Sequence, residues 1–189
     1  LQAAFKKIID IKLNRHWRNN ASGFMSFGVV QLGLAATSLK ERDLAYQCLI
    51  PLVQRYWLNN LASMHNHKSL FNMDISGGMP AVILKMLAES DLGRIQLLPA
   101  LPREWASGTV EGVLCRGEIE LKRLTWSQNQ IEVILVSARP QQVLVETPGD
   151  IARVAAQSGK VSIKKTGQPQ SFKVTLPAGK AVSLKIDLK

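Results

Sequence analysis

The spacing of apolar residues changes near Gly93, and this change constrains the fold more than any other feature of the sequence. Before Gly93, apolar side chains recur at intervals of three and four, as on one face of an α-helix. After Gly93 they alternate with polar ones, as on a half-buried β-strand. Helices followed by strands, without alternation, favour two modules packed together over a parallel α/β sheet. We therefore predict an α+β fold that divides into residues 1–93 and 94–189.

The first of these regions carries the helical period. We expect Pro51 to kink or interrupt the third helix and Pro80 to lie in the first turn of the last one, where no backbone donor is needed. Residues 58–78 show no clear period and are expected to form a long loop. The predicted helices cover residues 1–13, 24–39 and 41–57, together with a short segment that carries Val82, Ile83, Met86 and Leu87.

The second region reads as a series of short strands, which is typical of an antiparallel β-sandwich. The strands are predicted at residues 95–98, 110–115, 118–126, 131–137, 142–146, 161–165, 172–176 and 182–187. Turn signals separate the strands at Ser107-Gly108, Pro148-Gly149, Ser158-Gly159 and Ala178-Gly179.

Charge and composition exclude few functions by themselves. The formal charge of +10, from 24 basic and 14 acidic residues, could suit nucleic acid, but the lysines are scattered and the basic run 160–173 contains a single aromatic residue, Phe172, rather than a series of interleaved ones. We expect no nucleic-acid partner, no membrane partner and no cofactor, and nucleic-acid binding stays a rival hypothesis. Cys48 and Cys115 show no metal-ligand spacing, and a disulfide between them stays open. The amphipathic pattern already includes Leu1, so we expect the C-terminal part of a longer protein.

Asp74 is the candidate catalytic residue. It follows Phe71 and Met73 and precedes Ser76-Gly77-Gly78, so we predict a buried carboxylate in a glycine-rich turn just before an apolar helix. Paired glycines let the backbone approach a ligand closely, and a helix N-terminus adds donors and positive potential. These surroundings suit a catalytic base or a base-activating group. The alternative is a turn aspartate that binds its own loop backbone.

Three further side chains are candidate substrate-binding residues. His65 and His67 could bind a sugar hydroxyl, could form a metal site with Asp74, or could bind loop backbone. The His-x-His pair is a weak metal signal, and we expect no metal. Trp57 could stack on a sugar face or anchor the core.

Three segments resemble glycoside hydrolase family 95, the α-L-fucosidase type, over roughly residues 20–137. They are similar to the family's helix–turn–helix, its Phe-Gln-Ile-Asp motif ahead of a glycine pair, and its junction into a C-terminal β-domain. In this chain the segments read Gly23-Phe24-Met25-Ser26-Phe27 through Glu41-Arg42-Asp43-Leu44-Ala45-Tyr46-Gln47-Cys48-Leu49; Phe71-Asn72-Met73-Asp74; and Gly93-Arg94-Ile95-Gln96-Leu97-Leu98-Pro99-Ala100-Leu101-Pro102-Arg103-Glu104-Trp105 with Gly108 to Gly117.

This resemblance implies the last helices of an (α/α)6 toroid at 1–93 and a C-terminal β-sandwich at 94–189. It implies inverting cleavage of a fucoside-like α-glycoside, with Asp74 at the position that activates water. The glycine pair lies one residue closer to Asp74 than in the family pattern, and an ungapped alignment of the glycines places Met73 there instead.

The resemblance also places the general acid and two asparagines earlier in the family's chain. We therefore expect a carbohydrate substrate, the N-terminal remainder of the same protein as partner, a periplasmic or secreted location, and no turnover by these 189 residues alone. The alternative is a noncatalytic carbohydrate-binding or scaffold protein of the same fold.

Overall fold

The computed structural model describes residues 1–14, 25–66, 69–158 and 161–189. Two compact units make up the chain, Leu1–Met86 and Leu87–Lys189. Within the described residues, no helix has the length and apolar character that crossing a bilayer requires.

The first unit is mainly helical. Buried apolar side chains from several of its helices build one core, including Val29, Leu52, Ile75 and Met86. Its described elements are α1 (Gln2–Leu13), α2 (Ser26–Ser38), α3 (Arg42–Arg55), β1 (Met64–Asn66), β2 (Ser69–Phe71) and α4 (Asp74–Leu87).

Helices α2 and α4 approach each other through a reciprocal pair of glycine–valine contacts. A Cβ atom added to Gly33 on α2 would lie 3.0 Å from a methyl carbon of Val82 on α4. A Cβ atom added to Gly78 on α4 would lie 2.7 Å from a methyl carbon of Val30 on α2. The missing glycine side chains therefore let the two backbones pack closely.

The helix boundaries correct three predictions in this unit. Pro51 does not interrupt α3, because it is a buried residue inside that continuous helix, and the alternative of a kink there stays a prediction. Pro80 lies inside α4 rather than in its first turn, because that helix already begins at Asp74. Residues 58–78 are not one loop, since they contain β1, β2 and the first turn of α4.

The second unit is built of strands, arranged in two five-stranded sheets. One sheet has the order β10-β11-β8-β4-β3, and the other has the order β5-β6-β7-β12-β9. The strands are β3 (Ala88–Asp91), β4 (Arg94–Leu97), β5 (Ser107–Cys115), β6 (Ile119–Ser127), β7 (Gln130–Ser137), β8 (Gln141–Glu146), β9 (Ile151–Ser158), β10 (Ile163–Lys165), β11 (Ser171–Leu176) and β12 (Ala181–Leu188).

Each sheet buries the face on which its apolar residues alternate. On β7 the side chains of Ile131, Val133 and Leu135 are buried, and on β11 those of Phe172 and Val174 are buried. This alternation is the pattern of a strand with one face in the core. The predicted α+β class with sandwich-like sheets is confirmed.

One strand pair in the described part of this unit is parallel. Arg94 of β4 lies opposite Leu144 of β8, and the Arg94 guanidinium donates to both carboxylate oxygens of Glu146 at 2.9 and 2.8 Å. These hydrogen bonds raise the pKa of Arg94. The fork therefore fixes the parallel pair with two charge-assisted hydrogen bonds.

The predicted turn at Ser107-Gly108 is wrong. Both residues belong to β5, and Gly108 lies directly opposite Trp126 of β6. The Trp126 ring occupies the space where a Cβ of Gly108 would stand, and its indole N–H donates to the Trp105 carbonyl at 2.8 Å. Glycine is therefore needed in this strand for the close approach of an aromatic ring.

Candidate functional site

Asp74 is the first residue of α4. Its side chain is 37% exposed, so the prediction of a buried carboxylate in a turn before the helix is wrong. Gly77 and Gly78 belong to the helix itself, and Gly78 serves the contact with Val30. The carboxylate lies where the unpaired N–H groups and the dipole of α4 stabilise negative charge.

Asn72 causes this early start of the helix. Its side-chain Oδ1 accepts the backbone N–H of Asp74. This bond, from a residue to the one two positions later, is the capping arrangement that asparagine provides at helix N-termini. The first orphan donor of α4 is satisfied within the chain, and the position of Asp74 follows from it.

A short hairpin leads into the cap. In it β1 and β2 pair antiparallel, with Met64 opposite Phe71. The backbone N–H of Asn72 donates to the Ser63 carbonyl at 3.0 Å, and the Ser63 hydroxyl donates to the Asn72 carbonyl. The Ser63 hydroxyl also lies 3.1 Å from that of Ser76 in α4. The hairpin is thus tied to the first turn of α4.

His65 of β1 is brought to Asp74 by this arrangement. Its Nδ1 lies 3.9 Å from Asp74 Oδ2 and 3.2 Å from Asn72 Nδ2. The side chain of His65 is 22% exposed. An imidazole, an amide and a carboxylate therefore share one partly exposed corner of the first unit, and this set can bind polar groups such as sugar hydroxyls.

His67, the other predicted histidine, lies outside the described residues. Across residues 1–14, 25–66, 69–158 and 161–189, no three His, Cys, Asp or Glu side chains are placed to hold a metal ion.

Trp57 is half-buried and adjoins the hairpin, because its backbone forms a bridge with that of Ser63. Its indole Nε1 is buried and has no hydrogen-bond partner among the described residues. Substrate binding by Trp57 stays a prediction.

Sequence reasoning missed Asn72, although a signal for it exists. An asparagine just before an apolar helical run, followed by an acid in the first turn, is an N-cap pattern. The helix start was predicted too late in the sequence. The pair Gly77-Gly78 was interpreted as a turn, and Pro80 was interpreted as a residue of the first helical turn. Ser63 and Ser76 carried no signal, since their contact depends on the hairpin.

Cys48 and Cys115 are free thiols, which closes the question of a disulfide between them. Burial raises the pKa of Cys48 to about 12, and burial also raises the pKa of Cys115. Both are therefore protonated at neutral pH and make poor nucleophiles.

Comparison with known proteins bears on the second unit. The family model described as "Glycoside hydrolase family 95, C-terminal domain" matches residues 89–184, about half of the chain. No curated protein matches the chain. The matched residues begin within β3 and end within β12, so they span both sheets. The chain therefore belongs to glycoside hydrolase family 95, and its strand-rich unit is that family's C-terminal domain.

Proposed function

We propose that this chain is the C-terminal part of a glycoside hydrolase that cleaves fucoside-like α-glycosides with inversion, and that Asp74 activates the water. One observation carries the proposal. The Asp74 carboxylate is partly exposed in the first turn of α4, with His65 3.9 Å away. Family membership supports glycoside hydrolysis, and the resemblance around Asp74 supports the role of this residue.

The proposed chemistry needs two carboxyl groups with different tasks. An acid protonates the leaving oxygen while a base activates water on the other face of the sugar, with the two groups about 6.5–9.5 Å apart. Asp74 supplies the base from the first turn of α4. We assign the general acid to a segment that precedes this chain in a longer polypeptide, so the chain alone has no turnover.

Exposed apolar side chains support the N-terminal remainder of that polypeptide as the partner. Phe5 and Ile8 on α1, with Leu1 at its N-cap, form an exposed apolar stripe beside the stripe that buries Ile9 and Leu13. A helix with apolar residues this far round its circumference is suited to burial on more than one side. We propose that further helices of an (α/α)6 toroid cover the exposed stripe.

In the proposed site His65, and His67 with it, hydrogen-bond sugar hydroxyls, and Trp57 stacks on a sugar face. The half-buried position of Trp57 beside the hairpin supports this role, because part of the residue stays exposed and an aromatic face can stack on a sugar. On the resemblance to the family alone, we propose a periplasmic or secreted location.

The second candidate is a noncatalytic carbohydrate-binding protein. It is favoured by the short spacing in Asp74-Ile75-Ser76-Gly77-Gly78, one residue less than the family pattern.

Hydrolysis of aryl α-L-fucosides by the longer polypeptide separates the two candidates. Proton NMR should show the β-anomer of free fucose first, because water attacks opposite the leaving group. The 189-residue chain, assayed alongside, should release no sugar. Product that appears first as the α-anomer contradicts inversion. Glycan binding without any hydrolysis across α-fucosides and α-galactosides favours the noncatalytic candidate.

A further inference from the structure

We infer that Asn72 is a positioning residue that fixes the tautomer of His65, so that neutral His65 carries its proton on Nε2. The inference rests on the proposed function for the use of that proton. Its basis is the geometry of one amide group that contacts two neighbours.

The first contact settles which way the Asn72 amide faces. A backbone N–H can only donate, and that of Asp74 points at one end of the Asn72 side chain. That end must be the carbonyl oxygen. The Nδ2 end therefore faces the other neighbour, His65.

The second contact then settles the state of the imidazole. An amide NH2 group only donates, so His65 Nδ1, 3.2 Å from Asn72 Nδ2, must accept. A ring nitrogen that accepts carries a lone pair, and in a neutral imidazole the proton then resides on the other nitrogen. The geometry thus selects the Nε2–H form.

This tautomer keeps the Asp74 carboxylate free for its proposed task. With a lone pair on Nδ1, His65 donates nothing to Asp74 Oδ2, 3.9 Å away. That oxygen keeps its capacity to accept a hydrogen bond from water. Meanwhile Nε2–H becomes the ring's donor, suited to a sugar hydroxyl oxygen. Asn72 therefore both caps α4 and determines which nitrogen of His65 donates and which accepts.

Asn72→Asp preserves the contact with the Asp74 N–H and reverses the donor and acceptor roles in the contact with His65. An aspartate oxygen still accepts the Asp74 N–H, so the cap remains. Its second oxygen cannot donate to His65 Nδ1 and instead favours a proton there. Asn60→Asp is the matched control, because Asn60 Oδ1 accepts the Ala62 N–H at 3.1 Å in a similar short-range turn. Within the part of the chain that the structure describes, Asn60 makes no hydrogen bond with His65.

The measurement is long-range 1H–15N NMR of the 189-residue chain, with the His65 signals assigned by their loss in His65→Gln. In the unsubstituted chain Nδ1 should show the shift of an unprotonated nitrogen. In Asn72→Asp it should show that of a protonated one, and Asn60→Asp should change nothing. An Nδ1–H form in the unsubstituted chain, no change in Asn72→Asp, or an equal change in Asn60→Asp overturns the inference.

If Asn72→Asp does not fold, Asn72→Ser replaces it. Serine keeps a capping oxygen but has no group that reaches His65 as the amide does. A mixture of both tautomers is then expected, and an unaltered Nε2–H form contradicts the inference. The tautomer is read without substrate, so absence of hydrolysis removes the proposed function and leaves this result standing.

Discussion

At the residue scale, the arrangement of the candidate site depends on the helix cap formed by Asn72. The pattern around Asp74 identified the carboxylate, but it did not reveal Asn72, whose side chain places that carboxylate on the helix and contacts His65. The sequence shows which residue types are present and how far apart they lie along the chain. It does not show that His65, on a separate strand, returns to the same corner, because that depends on the hairpin.

The buried thiol of Cys48 gives a prediction at this scale. Its pKa rises from 9.0 to about 12 on folding, so between these values the folded state holds a proton that the unfolded state has lost. The stabilisation that the buried thiol contributes to the free energy of unfolding is fully present below pH 9 and decreases as pH rises towards 12.

Urea unfolding of the chain and of Cys48→Ala, each at pH 8 and pH 10.5, tests this. The alanine variant should be the less stable of the two at pH 8, since it leaves a small cavity. Its deficit should shrink at pH 10.5, because only the cysteine protein pays for keeping the thiol protonated. A deficit that is the same at both pH values contradicts the assignment.

At the element scale, the sequence pattern predicted most of the strands, whereas tertiary packing in the helices differed from what local sequence signals indicated. The alternating pattern located β6, β7, β11 and β12, because each has one buried face. It missed β3 and β9, whose residues are largely half-buried or exposed and carry little alternation. Gly78 read as part of a turn, whereas its function is the close contact of α4 with Val30.

Two neighbouring glycines of α4 therefore respond oppositely to alanine. Gly77→Ala should raise the free energy of unfolding by about 0.5–1 kcal/mol, since a Cβ there has no atom within 4 Å and helix propensity improves. Gly78→Ala should lower it by about 1–3 kcal/mol, because its Cβ would lie 2.7 Å from a Val30 methyl.

Thermal and urea unfolding of both variants provides the comparison, with Gly77→Ala as the internal control for propensity. Equal stabilisation by the two substitutions contradicts the close approach of α2 and α4.

At the scale of the whole molecule, the two units differ in how far sequence alone defines them. The strand-rich unit, Leu87–Lys189, has its own core and contains the matched family domain, residues 89–184. The change of period predicted a division near Gly93, and the compact unit begins earlier, at Leu87. The change of period appears only after β3, because β3 continues directly from α4 without a turn residue between them.

Residues 87–189 should consequently fold without the rest of the chain. We expect a β-type circular dichroism spectrum and one cooperative unfolding transition. A polypeptide of residues 94–189 should be less stable, because it lacks β3 and leaves β4 at the edge of its sheet. Equal stability of the two polypeptides, or no cooperative transition for residues 87–189, contradicts this division.

The central claim is that the charge of Asp74 activates water, and Asp74→Asn in the longer polypeptide tests it most directly. Asp43→Asn is the matched control, since Asp43 is likewise an acid in the first turn of a helix, α3. Initial rates on an aryl α-L-fucoside should fall by about 10²–10⁴-fold for Asp74→Asn and remain near the unsubstituted rate for Asp43→Asn. An Asp74→Asn enzyme that hydrolyses the fucoside at the unsubstituted rate contradicts the account.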